Sequence, residues 1–402
     1  MIAPAPAAAT PLEQVIPSLF GGSLATTINQ DFSDVSRQQA SVVGRFRDLS
    51  AQLAAARSQV PLPSASGAFS YAWDGDLDTF VRFEQSLGAG FGERAQTLGK
   101  GRFTVGLSYQ HVEYSTLAGD SLDNLVTVQP AFSRDYLDSL PAGDQALFGD
   151  DLIRTELDMS FTFELFYLSV AYGLTDRIDV SMALAINSAE MEGTATAMTL
   201  DPDGDGGIRN VGVFQQDQPG AIKVGSGPIC GQPYRCAKAS FDESATGTGD
   251  LFLRAKWHAV DTWLADIAVA GVLTLPTGNA DELLGFHDPT FTPWFIASKS
   301  LGRVSPHLNL GYSFRSGEDI SQAQWIAGAD VMVTRWLTVA GDFLGYHDDK
   351  RDDINDDVIQ SAVGFKLNPW GGLVLNASFQ FPINTDGIRA DVIYTGQIEY
   401  NF

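Results

Sequence analysis

The 402-residue chain has no long hydrophobic run. A stretch of about 18 consecutive apolar residues is the minimum for a transmembrane helix, and none occurs. Basic residues are scarce: 25 Lys and Arg stand against 49 Asp and Glu, a net charge of -24. That deficit argues against nucleic acid as a partner, because phosphates need a basic face. Cysteine is nearly absent. Cys230 and Cys236 are too far apart for a C-x-x-C redox pair, and no second pair completes a zinc site. They read as a local disulfide in an oxidising compartment, with two unpaired loop thiols as the other reading. Residues 1–9 lack the basic start and apolar centre of a leader, so the chain reads as a mature or trimmed form. Histidine is also sparse, at His111, His258, His287, His307 and His347. None has Ser two positions later, and no Ser sits beside an oriented base. The chain therefore reads as a non-enzyme without an organic cofactor.

What is abundant is glycine, at 40 residues, and phenylalanine, at 25, the residues of tight turns and strands. Residues 389–402 separate two chemistries by alternation. Val392, Tyr394, Ile398, Tyr400 and Phe402 share one face, while Asp391, Thr395, Gln397, Glu399 and Asn401 share the other. Side chains alternate across a strand with period two. The stretch is thus a strand with an apolar and a wet face. It resembles the closing strand of bacterial outer-membrane β-barrels, which ends on an aromatic residue. A mean hydropathy of -0.02 fits a barrel that hides its lipid face by alternation.

The same rhythm predicts strands over 101–116, 152–173, 177–199, 246–259, 262–275, 289–301, 304–316, 321–334, 337–347, 355–367, 371–383 and 388–402. Tight turns fall at 174–176, 260–261, 302–303, 335–336 and 368–370, and long connections at 117–151 and 200–245. Lipid forbids an open sheet edge. The expected fold is therefore all-β: a transmembrane antiparallel barrel of about twelve strands over 101–402. Residues 67–100 read as a short hairpin, with Asp74, Gly75 and Asp76 at its turn, followed by a glycine-containing linker. Fourteen strands, recruiting that hairpin into the wall, is the alternative architecture.

Residues 1–66 read as an N-terminal helical segment, a lumen plug or a periplasmic arm. Residues 12–20 form a short amphipathic piece, and 34–60 a helix ended by Pro61 and Pro63. Arg37, Arg45, Arg47 and Arg57 make that helix a basic island, and Arg45 and Arg47 are its candidate gating residues.

Parity assigns faces. In the second strand Leu157, Met159, Phe161, Phe163 and Leu165 are expected to face lipid, and Glu156, Asp158, Ser160, Thr162 and Glu164 the lumen. In the fourth, Leu251, Leu253, Ala255 and Trp257 face out, and Arg254, Lys256 and His258 face in. Asp179, Asp266, Asp330, Asp342 and Lys366 are lumenal by the same rule. A Lys or Arg on the lipid face would cost about 2–4 kcal/mol at mid-membrane, which decides the direction.

The stretch Tyr172–Gly173–Leu174–Thr175–Asp176–Arg177–Ile178–Asp179–Val180 sits at a predicted periplasmic turn. It resembles the turn signature of outer-membrane transporters grouped with the meta-pathway of phenol degradation. Those are similar to the larger fatty-acid and hydrocarbon channel class. The resemblance covers roughly 100–402 and reports a turn, so it carries over no site residue. It implies an outer-membrane channel for small, hydrophobic or aromatic solutes, with membrane lipid and the solute as partners. The other reading is a closed barrel serving as a structural or adhesive anchor with partner-binding loops. Oligomeric state is left open.

One metal pattern stands out. Asp201, Asp203 and Asp205, followed by Gly206, match the first half of a calcium loop, but the twelfth position is Gly212 rather than Glu. The readings are a Ca2+ site completed from elsewhere and a solvated acidic loop. Asp348, Asp349, Asp352, Asp353, Asp356 and Asp357 form a second acidic cluster, read as a solvated face.

Overall fold

The computed structural model describes residues 11–21, 26–28, 70–74, 79–83, 91–130, 134–143, 145, 150, 152–200, 212–214, 236–315, 321–349 and 357–402. Twelve long strands form the wall. They are β1 Phe103–Leu117, β2 Leu152–Gly173, β3 Ile178–Leu200, β4 Cys236–Asp261, β5 Asp266–Leu275 and β6 Thr290–Ser298. β7 Val304–Ser313, β8 Gln322–Thr334, β9 Leu337–Asp348, β10 Asp357–Leu367, β11 Leu373–Pro382 and β12 Ile388–Asn401 complete them. Each pairs with its sequence neighbours, β12 pairs with β1, and β1 also pairs with β2, so the sheet closes on itself. Closure removes the free edge that lipid would not tolerate. Two short strands, Asp120–Ser121 and Leu125–Pro130, add to the margin of this sheet. The hairpin Ser70–Asp74 with Thr79–Phe83 forms as expected but pairs only with itself among the described residues, so the wall has twelve strands and not fourteen.

The tight turns gather where expected. Leu174 donates to the Ile178 carbonyl at 2.8 Å, and Leu301 to Val304 at 2.8 Å. Gly302 adopts φ +69°, which an L side chain resists. The turn after β4 falls at 262–265, closed by Ala265 donating to Thr262 Oγ1 at 2.9 Å, rather than at 260–261.

The chain divides into two compact units. One comprises residues 53–119, 162–189 and 245–402, which hold most of the wall. Its outward side chains are apolar: Phe103, Leu107, Phe166, Leu168, Val170, Tyr172, Leu253 and Trp257 are all exposed. Trp263, Trp336, Trp370 and Phe402 stand exposed near the tight-turn end, with Phe402 stacked on Phe103 at 4.1 Å. Exposed rings at a strand end form the interface girdle of a membrane barrel. On β9 and β10 this apolar face ends where His347 Nδ1 meets Asp357 Oδ1 at 2.9 Å across the ladder. On β1 and β2 it ends where Tyr109 donates to Glu164 Oε1 at 2.9 Å.

The other unit comprises residues 1–52, 120–161 and 190–244. The amphipathic piece is a helix, Leu12–Gly21, with Leu12, Val15 and Ile16 buried. Leu122, fully buried, sits in a 3-10 turn whose cap, Ser121 Oγ, accepts from Asp123 N at 3.3 Å. Bulky Leu157, Met159 and Phe161 are buried here, as are small Ala195 and Ala197 of β3. Gly193 allows close approach, since a Cβ there would lie 2.8 Å from the Phe241 ring.

The structure corrects the parity of β2. Leu157, Met159, Phe161, Phe163 and Leu165 are each at most 1% exposed, so they point inward and not to lipid. Asp158 is exposed, and Glu156, Ser160, Thr162 and Glu164 share its outward face with Phe166. Glu156, Asp158 and Glu164 are therefore not lumenal; Glu156 pairs outward with Arg154 at 2.6 Å. The physical reason is length. β2 has 22 residues, whereas a membrane-spanning strand needs about 9–11. Alternation separates two chemistries, and beyond the membrane span the wet face is the outer one.

Candidate functional site

The site grows from the stretch just before β1, read from sequence as a linker. Residues 91–101 are a strap bonded to the inner face of the wall from β9 round to β2. Phe91 N donates to Asp342 Oδ2 of β9 at 3.2 Å. Glu93 N donates to Asn309 Oδ1 of β7 at 2.6 Å, and Asn309 Nδ2 returns a bond to the Glu93 carbonyl at 2.9 Å. Arg94 pairs with Asp330 of β8, its Nε donating at 3.1 Å. Ala95 N donates to Ser298 Oγ of β6 at 3.0 Å, and Gln96 Nε2 to Asp266 Oδ2 of β5 at 3.1 Å. Lys256 Nζ of β4 donates to the Gln96 carbonyl at 2.6 Å. Leu98 N meets both carboxylate oxygens of Asp179 of β3 at 3.0 and 3.1 Å. Gly101 N then donates to the Gly173 carbonyl of β2 at 2.8 Å, and the chain enters β1.

Apolar anchors alternate with these bonds. Phe91 packs with Leu344, Ala362 and Ile326; Ala95 with Ala268, Ala270 and Ile296; Leu98 with Ala171. Position 92 admits only glycine, because a Cβ would stand 2.2 Å from the His307 ring. That ring is fixed by Asp342, which accepts at 2.6 Å from Nε2. A buried backbone N–H without a partner is costly. The inward acids therefore do structural work: Asp179 and Asp342 satisfy strap N–H groups, and Asp266 and Asp330 hold strap side chains.

The inward prediction for Arg254 and Lys256 holds, and the structure brings them together. Arg254 meets the Glu93 carboxylate with both terminal nitrogens, and Lys256 Nζ lies 3.8 Å from Glu93 Oε1 and 3.8 Å from Asp179 Oδ2. Alternation along β4 marks both cations as inward, whereas nothing in that period marks Glu93 or the strap. The available signal was the spacing of Phe91, Ala95 and Leu98, apolar residues four and three apart in an otherwise polar stretch.

Beside the strap is a cavity of about 170 Å³. Phe91 and Glu93 line it from the strap, and Tyr167, Phe252, Trp294, Trp325 and Tyr346 from the wall. Val272, Ile296, Ile326 and Leu344 add aliphatic surface, and Thr274, Thr292, Ser313 and Gln324 add a few hydrogen-bonding groups. Phe286 reaches it from the connection 276–289. That connection folds against the wall: Asp250 Oδ1 accepts from Gly278 N at 3.1 Å and Oδ2 from Phe286 N at 2.8 Å, and Leu283 and Leu284 are buried. An apolar cavity with a few converging polar groups is the form of a small-molecule site.

Several sequence candidates fall outside the described residues: the helix 34–60 with Arg45 and Arg47, the loop acids Asp201, Asp203 and Asp205, and Cys230. Cys236 begins β4, and its side chain is likewise outside them. Of the second acidic cluster, Asp348 is buried and accepts from Gln322 Nε2 at 2.8 Å, while Asp349 accepts from the Tyr312 hydroxyl.

No family model matches this chain, and no curated protein matches it. Solved structures do. An outer membrane channel from Pseudomonas putida F1 is 12% identical, over 77% of this chain and 98% of that one, with a TM-score of 0.47. A Pseudomonas aeruginosa FadL homologue is 10% identical, over 74% and 89%, with a TM-score of 0.31. The TodX deltaS2S3 mutant monoaromatic hydrocarbon channel is 7% identical, over 77% and 91%, with a TM-score of 0.31.

Proposed function

We propose that this protein is a bacterial outer-membrane channel for small apolar or aromatic solutes, moved by diffusion through a restricted bore. The observation that carries the reading is the ring-lined cavity inside a closed, lipid-facing barrel, bordered by the strap. Its volume of about 170 Å³ suits a single aromatic ring. An engineered cavity of about 150 Å³ lined by aliphatic and aromatic side chains takes up benzene. The wall supplies placement, the cavity supplies selection, and the strap narrows the exit. No bond in the solute is made or broken.

Isothermal titration of the full chain with benzyl alcohol tests the reading. One saturable site is expected, and Thr292→Trp, which fills the cavity, should abolish it while the barrel still assembles. Swelling of proteoliposomes in the same solute tests passage. Absence of both binding and swelling would favour the closed anchor instead.

A further inference from the structure

The cavity lining contains a charge pair whose halves come from different parts of the fold. Arg254 belongs to the wall, on β4; Glu93 belongs to the strap. Their contact is two-pronged, Nη1 and Nη2 each meeting a carboxylate oxygen. This is the planar geometry in which guanidinium recognises a carboxylate most selectively. Lys256 stands behind the same carboxylate at 3.8 Å. The wall thus presents a cationic seat, and its occupant is a side chain on a separate segment.

Glu93 therefore stands where the carboxylate of a solute would stand. We propose that the cavity takes small aromatic carboxylates, that Arg254 backed by Lys256 is the carboxylate seat, and that Glu93 is the built-in occupant the solute displaces. The inference rests on the reading of the cavity as a solute site. If Glu93 swung away alone, a buried guanidinium would lose its counter-charge, which is strongly unfavourable. A neutral solute cannot replace that charge. A carboxylate restores it with the same two bonds, while its ring packs among Phe252, Trp294 and Trp325. Because Glu93 is tethered, it competes at high effective concentration, so the solute is held loosely and can leave. A passage needs that weakness.

The experiment is calorimetric titration of the full chain with benzoate and with benzyl alcohol, which share the ring and differ in charge. Removing the competitor with Glu93→Gln should raise the benzoate-to-benzyl-alcohol affinity ratio by about tenfold or more. Glu93→Gln with Arg254→Gln leaves neither group of the pair unpaired and should bring the ratio back down to that of the unaltered chain or below, although Lys256 and Arg315, which also lines the cavity, remain. The proposal is overturned if the ratio does not rise in Glu93→Gln, or if the double variant keeps the raised ratio of Glu93→Gln. Benzyl alcohol binding without any preference for benzoate sinks this inference alone. Binding of neither solute by any form sinks the solute-site reading, and this inference with it.

Discussion

Two stretches of β2 carry the same alternation with opposite meanings. From Phe166 to Tyr172 the exposed side chains, Phe166, Leu168, Val170 and Tyr172, are apolar. From Arg154 to Glu164 the outward side chains are polar, and the buried ones, Leu157, Met159, Phe161 and Phe163, are apolar. A period of two reports that a strand has two faces. Which face is buried depends on what lies outside, lipid for one stretch and water for the other. The strand switches chemistry without switching register, and its burial alternates without interruption from Leu152 to Leu168.

Charge placed on each stretch separates the two environments. Phe163→Arg buries a cation on the inner face, and the assembled barrel should be lost, as read by heat-modifiable gel mobility. Phe163→Ala should cost about 3–5 kcal/mol by loss of a fully buried ring. Leu168→Arg puts the charge in lipid and should cost about 2–4 kcal/mol in a refolding titration. Had the reversed parity been right, Leu168→Arg would be tolerated. At the boundary, Glu164→Gln should change stability by less than about 1 kcal/mol, because its bond to Tyr109 lies on an outward, partly exposed face.

Much of this was legible in the residues. Twelve strands and most of their ends follow from alternation and turn chemistry, because long wall strands are periodic and the turns are short. Inward Asp179, Asp330, Asp342, Arg254 and Lys256 follow from the cost of charge in lipid. The inner strap was not legible. Beyond the spacing of Phe91, Ala95 and Leu98, residues 91–98 carry no pattern that names their partners, which lie on seven different strands, and glycine at 92 reads as looseness until His307 is seen beneath it. The inward acids did announce a partner; it is the strap's N–H groups and Arg94, which no local pattern marks. The folded connection 276–289 was hidden likewise: Leu283, Leu284 and Phe286 are a short apolar run whose burial depends on Asp250 of β4.

If the strap is a restriction and not a support, it narrows a bore whose wall stands without it. Single-channel conductance is the decisive measurement, on the full chain carrying Phe91→Ser, Glu93→Ser and Arg94→Ser, with Arg254→Gln and Asp330→Asn so that no buried charge is left without its partner. These changes remove the apolar anchor, the Arg254 contact and the Asp330 pair together, and leave the backbone of every wall strand intact. The expected result is a normally assembled barrel with conductance several-fold above that of the unaltered chain. An assembled barrel that conducts no more than the unaltered chain would contradict it.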